Sequence, residues 1–161
     1  YPVGVALSKQ GDLFILDGEN VRVLKFDRRS SFERTFGGRE AGPGRLTSPV
    51  EILVTMQDQV LVLEDDRIIE FDFAGNFVRT IGGGMISAAR GFGETADGVA
   101  VVTADVLWFF DRNGSPLTRI EIPMIVASVS LDPADVAVLH DRVYLLTRES
   151  VVAFSVRRGG R

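Results

Sequence analysis

The sequence contains no cysteine, one histidine and only two lysines among its 161 residues. The absence of cysteine excludes disulfide bonds, thiolate catalysis and thiolate metal sites. The single histidine, His140, excludes any site that needs two imidazoles and leaves one candidate for a histidine base. No apolar run approaches the roughly 18 residues of a membrane-spanning helix, and no long 3.6-residue periodicity predicts an amphipathic helix.

Charge and composition narrow the possible partners. The chain has 18 basic and 22 acidic side chains, a net charge of -4 and 45% hydrophobic residues. This composition predicts a folded domain of ordinary size with its own core. A net negative chain has no broad cationic field, so we expect no nucleic-acid partner.

The chain repeats. Apolar runs that end in phenylalanine recur at Phe26, Phe71, Phe110 and Phe154, which are separated by 45, 39 and 44 residues. Aspartate follows the first three of these phenylalanines. A period of about 43 residues is typical of repeat architectures, including propellers.

Each repeat reads as a set of short strands joined by turns. The predicted first strands are 3–8, 50–55, 92–95 and 136–140. The predicted second strands are 13–17, 60–64, 99–103 and 143–147. The predicted outer strands are 32–36, 77–81 and 117–122. The third strand of each repeat ends at its phenylalanine. Short turns between such strands favour antiparallel hairpins. We therefore predict an all-β chain, a β-propeller of four-stranded antiparallel blades with about four blades. The predicted repeats are about 2–48, 49–88, 89–123 and 124–156, in a single domain or propeller segment, with a tail at 157–161.

The second strands are apolar on both faces. In the first repeat Leu13 and Ile15 point one way while Phe14 and Leu16 point the other. A strand of this kind predicts a sheet that is covered on both sides.

Two stretches resemble the NHL-repeat propellers. Residues 38–49 are similar to the glycine-rich connection of that family, which leads through a proline into the next inner strand. Residues 17–27 resemble the family's strand, turn and Asn-x-Arg sequence, which ends in Phe-Asp. The resemblance implies a six-bladed type of propeller. It also implies a non-catalytic protein-interaction or scaffold module that can be a subunit of a larger complex, and export to the periplasm or cell surface.

The family resemblance leaves two other functions open. Relatives with lyase or lactonase-like activity line the central channel with metal ligands, so the alternative is part of a metal-dependent hydrolase or lyase with its site on the axis. Only Glu51, Glu94 and Asp135 are acids near inner-strand positions, so we expect no metal site and no cofactor. Some relatives bind single-stranded RNA, a third possibility that the acidic balance disfavours. His140 is expected to be a structural or a surface residue, not a catalytic base or a metal ligand.

Several motifs have structural explanations. Residues 91–96 match a dinucleotide-loop pattern, but a strand and not a helix is predicted after them. Glycines 82–84 predict a connection between repeats, because no phosphate-binding lysine follows. Asp27, Asp72 and Asp111 each begin a turn, where the carboxylate accepts backbone hydrogen bonds. Asn113 belongs to such a turn as well, which disfavours its use as a glycosylation site.

The remaining candidate functional residues are aromatic or cationic. Trp108 alternates with Val106 and Phe110 and is expected to pack in the core. Guanidinium groups bind carboxylate or phosphate. In a propeller, the connections into the next inner strand share one face with the turns between second and third strands. We predict a binding surface on that face, with Asn20, Arg39, Arg45 and Arg67 as its candidate residues.

A final expectation concerns the ends of the repeat array. An open arc of four blades would leave an apolar sheet face exposed at each end. We therefore expect either closure as a four-bladed ring or coverage of the terminal blades by a protein partner or by further polypeptide.

Overall fold

A computed structural model describes residues 1–124 and 132–156 of the chain. The predicted tail, with Arg157, Arg158 and Arg161, and the beginning of the fourth predicted repeat lie outside the described residues. In the described parts of the chain, no helix has the length and apolar character needed to cross a membrane.

Four antiparallel sheets follow one another along the described residues, each with its strands in sequence order. Sheet 1 contains β1 (Pro2–Leu7), β2 (Leu13–Asp17), β3 (Arg22–Phe26) and β4 (Phe32–Phe36). Sheet 2 contains β5 (Pro49–Val54), β6 (Val60–Glu64), β7 (Ile68–Phe71) and β8 (Phe77–Ile81). Sheet 3 contains β9 (Gly91–Glu94), β10 (Gly98–Val102), β11 (Val106–Asp111) and β12 (Pro116–Glu121). Sheet 4 contains β13 (Pro133–Leu139), β14 (Arg142–Thr147) and β15 (Val151–Ser155). Within the described part of the chain, the 3-10 helix Gly42–Gly44 follows β4 and the 3-10 helix Ile122–Met124 follows β12.

The predicted all-β organisation is confirmed. The observed strand bounds differ most from the predicted ones in β13. This strand begins at Pro133, three residues before its predicted start, and ends at Leu139. His140 was predicted as its last residue but lies in the turn to β14 with a φ of 57°. Residues 91–94 form a strand and not a phosphate loop, as expected.

The chain divides into two compact units, unit 1 at Tyr1–Ser87 and unit 2 at Ala88–Arg161. In unit 1, sheet 1 packs on sheet 2 around Phe14, Leu16, Ile52 and Phe71, which are all buried. In unit 2, sheet 3 packs on sheet 4 around a second apolar cluster that includes Leu107 and the residues Val136, Val143 and Leu145. Each unit thus has its own core between two sheets.

Burial of the second strands differs between repeats. Every side chain of β6 is buried, as predicted for a strand with two apolar faces. In β2, Phe14 and Leu16 are fully buried, whereas Leu13 and Ile15 are only half-buried. In β14, Leu146 is 46% exposed. Sheets 1 and 4 therefore each keep one apolar face partly accessible.

The aspartates directly after β3 and β7, and the one at the end of β11, close the predicted turns. Asp27, Asp72 and Asp111 each accept a hydrogen bond from the backbone N–H four residues on, at 2.8 Å in all three cases. Asp72 also accepts a hydrogen bond of 2.9 Å from the Asn76 side-chain amide. This bond lowers the pKa of the Asp72 carboxyl. The structural interpretation of these carboxylates is confirmed.

Candidate binding cleft

A cleft of about 890 Å³ opens in unit 1 between the outer parts of sheets 1 and 2. Its walls come from residues 19–22 and 35–41 of the first repeat and residues 75–77 of the second, and Phe71 contributes from β7. The first segment is the turn between β2 and β3, and the second is the connection that leaves β4. The cleft is called the unit 1 cleft below.

Asp17, the last residue of β2, shapes one wall. Its carboxylate accepts hydrogen bonds from the Asn20 side-chain amide at 2.7 Å, the Asn20 backbone N–H at 3.2 Å and Arg22 Nε at 3.3 Å. The amide of Asn20 is the main cause that holds the pKa of Asp17 far below its usual range. Asp17 is buried, so this network fixes the turn and sets the positions of Asn20 and Arg22 in the wall.

The opposite wall depends on a close approach at Gly75. This glycine has a φ of 85°, and a Cβ atom placed on it would lie 2.5 Å from the Phe36 ring. Both the conformation and the space require glycine at this position. The turn of sheet 2 therefore rests directly on the end of β4 and presents Asn76 and Phe77 to the cleft.

Aromatic rings form the base of the cleft. The Phe36 and Phe71 rings meet edge to face with centroids 4.9 Å apart, and Phe36 also contacts Phe14 of the unit 1 core at 6.4 Å. Phe77 is 37% exposed, so it adds accessible apolar surface. Because these rings belong to or rest on the core, the base is a preformed apolar surface.

The connection after β4 carries the cationic group of the cleft. Gly37 has a φ of 75°. Its carbonyl accepts a hydrogen bond of 2.8 Å from the Leu46 N–H, and this bond closes the connection into a loop. Arg39 lies in this loop and is exposed. Among the described residues, Arg39 has no ion-pair or hydrogen-bond partner for its guanidinium.

This arrangement suits a ligand with both apolar and anionic groups. The phenylalanine rings offer contact area, and a guanidinium can hold a carboxylate or phosphate through two parallel hydrogen bonds. Arg22 is already paired with Asp17, so Arg39 is the cation that an incoming group would meet. Glu19 and Glu40 at the rim disfavour a ligand of high negative charge.

Comparisons with known proteins identify the repeats. The sequence profile of the NHL repeat matches residues 1–26. Protein brain tumor of Drosophila melanogaster is 28% identical over 125 residues, which cover 73% of this chain and 12% of that protein. The chain has the β-propeller fold, and its first 26 residues are similar to the NHL repeat. Its resemblance to that family and its all-β propeller class are thereby confirmed.

Solved structures share the propeller fold at low sequence identity. The virginiamycin B lyase of Staphylococcus aureus has a TM-score of 0.73 at 13% identity, over 95% of this chain and 50% of that one. The WD40 domain of Neurospora crassa Pan2 has a TM-score of 0.68 at 13% identity, over 96% of this chain and 46% of that one. This propeller therefore spans about half the length of these solved chains and a smaller part of the Drosophila protein.

The four predicted binding residues of the propeller separate into two pairs. Asn20 and Arg39 both line the unit 1 cleft. Arg45 ends the 3-10 helix of the same connection and is exposed, but it is outside the lining of the cleft. Arg67 is also outside it and is paired with a buried carboxylate, that of Glu64.

The Glu64 carboxylate is the centre of a saturated polar cluster. Its Oε1 accepts hydrogen bonds from the Thr47 N–H, from Thr47 Oγ1 at 3.1 Å and from the Ser48 N–H at 2.9 Å. Its Oε2 accepts from Arg67 Nε at 2.9 Å and pairs with Arg67 Nη2 at 2.7 Å. The Arg67 guanidinium is therefore engaged within the protein, where it secures the connection from β4 to β5.

The acids considered for an axial metal lie on separate strands. Glu51 is on β5 of unit 1, whereas Glu94 and Asp135 are on β9 and β13 of unit 2, and all three are half-buried. Burial raises the pKa of Asp135. Within residues 1–124 and 132–156, no group of three or more histidine, aspartate or glutamate side chains could hold a metal ion. His140 is exposed in its turn.

Trp108 is less buried than expected. Its ring stacks on Phe110 with centroids 6.0 Å apart, so the two share a face as predicted. The side chain is only half-buried, and the Arg119 guanidinium lies 5.7 Å from its ring centroid. Phe110, not Trp108, is the fully buried aromatic residue of this pair.

Sequence reasoning missed Arg22, Phe36, Asn76 and Phe77 as parts of the cleft. Arg22 stands in the family-like Asn-x-Arg sequence, which could have indicated its place beside Asn20. Nothing in the sequence indicates that the β7–β8 turn of one repeat lies against the end of β4 of the preceding repeat. That proximity depends on how sheet 1 packs on sheet 2.

Proposed function

We propose that this NHL-type propeller is a non-catalytic protein-interaction or scaffold module that can serve as a subunit of a larger complex. We further propose that the unit 1 cleft receives a partner segment in which a carboxylate lies beside an apolar side chain. The observation that carries the proposal is the exposed, unpaired guanidinium of Arg39 next to an aromatic base, within the described residues. The NHL-repeat match and the likeness to protein brain tumor support an interaction module.

The geometry favours an extended peptide segment over a flat surface. The cleft lies between two sheets and has a preformed aromatic base, so a side chain can enter it while the backbone stays outside. Tyr, Phe or Leu would fit against Phe36 and Phe77, and a neighbouring Asp or Glu would reach Arg39. Interfaces commonly combine such an apolar anchor with one directed polar contact.

A displayed library of random linear peptides tests this proposal. We expect selection on the propeller to enrich sequences with an acid next to an apolar residue. Arg39→Ala should weaken binding of a selected, fluorescently labelled peptide by about tenfold, which corresponds to about 1.4 kcal/mol. Arg45→Ala should weaken it less, because Arg45 is outside the cleft, and the double variant should keep nearly the parental melting temperature.

Arg29→Ala is the matched control, since Arg29 is an equally charged, exposed residue of unit 1 on the β3–β4 turn. It should leave peptide affinity unchanged. Equal affinity of the parent and Arg39→Ala would remove the cleft from the proposal. Failure to enrich any acidic and apolar sequence would contradict the proposed partner chemistry.

The second candidate is part of a metal-dependent propeller lyase or hydrolase, because the fold is shared with virginiamycin B lyase. Likeness at 13% identity concerns the fold, so the activity needs its own test. Elemental analysis of the purified propeller would favour this candidate if it found stoichiometric calcium or zinc. Export to the periplasm or cell surface stays a prediction, which fractionation of the source cells would check.

A further inference from the structure

Two of the three asparagines of the chain line the unit 1 cleft, on its opposite walls. Asn20 lies in the turn between β2 and β3, and Asn76 lies in the turn between β7 and β8. Both residues are exposed. They therefore stand at the mouth of the cleft, where the main chain of a bound segment would pass.

An aspartate holds each of these asparagines in one orientation. Asp17 accepts hydrogen bonds from the Asn20 backbone N–H at 3.2 Å and from its side-chain amide at 2.7 Å. Asp72 accepts hydrogen bonds from the same two groups of Asn76, at 2.8 Å and 2.9 Å. The side-chain amides lower the pKa of both aspartates, which are therefore ionised at neutral pH. An ionised carboxylate only accepts hydrogen bonds, so the Nδ2 atom of each asparagine must face its aspartate.

The rest of each side-chain amide is available to a ligand. Within the part of the chain that the structure describes, Oδ1 of Asn20 and Oδ1 of Asn76 accept no hydrogen bond, and each Nδ2 donates only to its aspartate. Each amide thus keeps one acceptor and one N–H donor. A peptide unit offers one N–H and one C=O, so its hydrogen-bonding groups complement those of the amide.

We propose that Asn20 and Asn76 bind the main chain of the partner segment, which lies extended between them. This inference rests on the proposed function of the unit 1 cleft and adds the contacts to the peptide backbone. Successive residues of an extended chain direct their N–H and C=O groups to opposite sides, so one segment can reach both walls. Its side chains alternate between the other two directions, so every second one points at the aromatic base.

The cleft would then divide recognition between two kinds of contact. Main-chain hydrogen bonds to the asparagines supply affinity for any sequence, whereas the aromatic base and Arg39 select the side chains. The geometry also fixes a register. Because Asn20 and Asn76 lie on opposite walls, the two residues of the segment that they bind must be separated by an odd number of positions.

An ester scan of a peptide selected from the linear library tests the proposal. Each analogue replaces one backbone N–H with an ester oxygen and keeps every side chain. We expect two sensitive positions, an odd number of residues apart, where the ester weakens binding to the parent protein by about fivefold. Asn20→Ala should abolish the effect of the ester at one position, and Asn76→Ala should abolish it at the other.

Asn113→Ala is the matched control, because Asn113 is an exposed turn residue of sheet 3, outside the cleft. It should keep the parental pattern at both positions. A distorted turn in Asn20→Ala would weaken binding of the plain peptide and of its esters equally, whereas loss of a main-chain contact removes the difference between them. If an alanine variant does not fold, the parent provides the measurement. Its Asn20 and Asn76 side-chain amide signals in NMR spectra should shift on addition of the plain peptide, and less with the matching ester.

Three results would overturn this inference. The first is a scan in which fewer than two esters weaken binding. The second is an equal effect of each ester on the parent and on both asparagine variants, or amide signals that do not shift. The third is a pair of sensitive positions that are an even number of residues apart. Each of these leaves the proposed function intact if the peptide still loses affinity with Arg39→Ala. A library without any acidic and apolar binder contradicts the proposed function, and this inference with it.

Discussion

Replacing Glu64 with glutamine should destabilise the protein far more than its single lost charge suggests. Glu64 is fully buried, and both of its carboxylate oxygens accept hydrogen bonds. Glutamine has the same shape, but one of its two terminal atoms is a donor. In either orientation, its NH₂ group faces a donor, which is Arg67 on one side or the Thr47 and Ser48 amides on the other.

The size of this loss follows from the contacts. A hydrogen bond to a charged group contributes about 1.5 to 3 kcal/mol, and breaking a buried ion pair costs about 3 to 5 kcal/mol. Arg67 keeps 29% of its side chain exposed and can recover some hydration, so the lower end of that range applies. We expect the free energy of unfolding to fall by about 3 kcal/mol. For a chain of this size that lowers the melting temperature by about 6 to 12 °C.

Urea unfolding followed by far-UV circular dichroism measures this change. Asp65→Asn is the matched control, because Asp65 is the next residue along and is exposed. It should shift the free energy of unfolding by no more than about 0.5 kcal/mol. A loss of less than about 1 kcal/mol for Glu64→Gln would refute the reasoning, since the donor conflict would then be relieved at little cost.

Two smaller perturbations test local features of unit 1. Gly75→Ala should lower the free energy of unfolding by about 2 to 4 kcal/mol, because the new methyl group meets Phe36 and the φ is positive. Gly42 also has a positive φ, but no atom lies within 4 Å of a Cβ placed on it, so Gly42→Ala should lower the free energy of unfolding by only about 1 kcal/mol. Equal losses for the two variants in thermal unfolding would show that the contact with Phe36 is unimportant. Asn76→Ala should raise the pKa of Asp72 in a carboxylate NMR titration, because the Asn76 amide is the main cause of its lowering. A carboxyl pKa that is lowered in the folded state stabilises the fold above a pH of about 4, and this stabilisation is lost as the pH falls. The Asn76→Ala variant should therefore lose less stability in acid than its parent. An unchanged Asp72 pKa would contradict this assignment.

The hairpins were predictable because each one is encoded locally. Apolar, β-branched runs such as β6 are followed by turn residues, and an aspartate opens three of the β3-to-β4-type turns. Strand β9 was less clear because it contains glycines. Cβ atoms on Gly91 and Gly93 would collide with Asp135 and with the Val136 carbonyl of β13, so close packing between sheets 3 and 4 requires glycines there. A single repeat does not reveal that requirement.

The cleft was only half predictable. Turn and connection residues were expected to carry recognition, and Asn20 and Arg39 do line one cleft. Arg67 has the same sequence character, since it is an arginine in a polar turn, yet it pairs with a carboxylate three residues earlier. Whether an arginine is available or engaged depends on the burial of its neighbour. The burial of Glu64 follows from sheet packing and cannot be read from its place at the end of β6.

Lys25 is buried in unit 1, where its ammonium lies 2.9 Å from Glu33 and 4.1 Å from the centroid of the Phe73 ring. The only other lysine of the chain, Lys9, is exposed. Amine-directed reagents need an accessible nitrogen, and the Lys25 ammonium is shielded by its burial and its ion pair. Acylation or reductive methylation of lysine in the folded protein is therefore confined to Lys9, which gives unit 1 one lysine position for a dye, a biotin or a surface attachment.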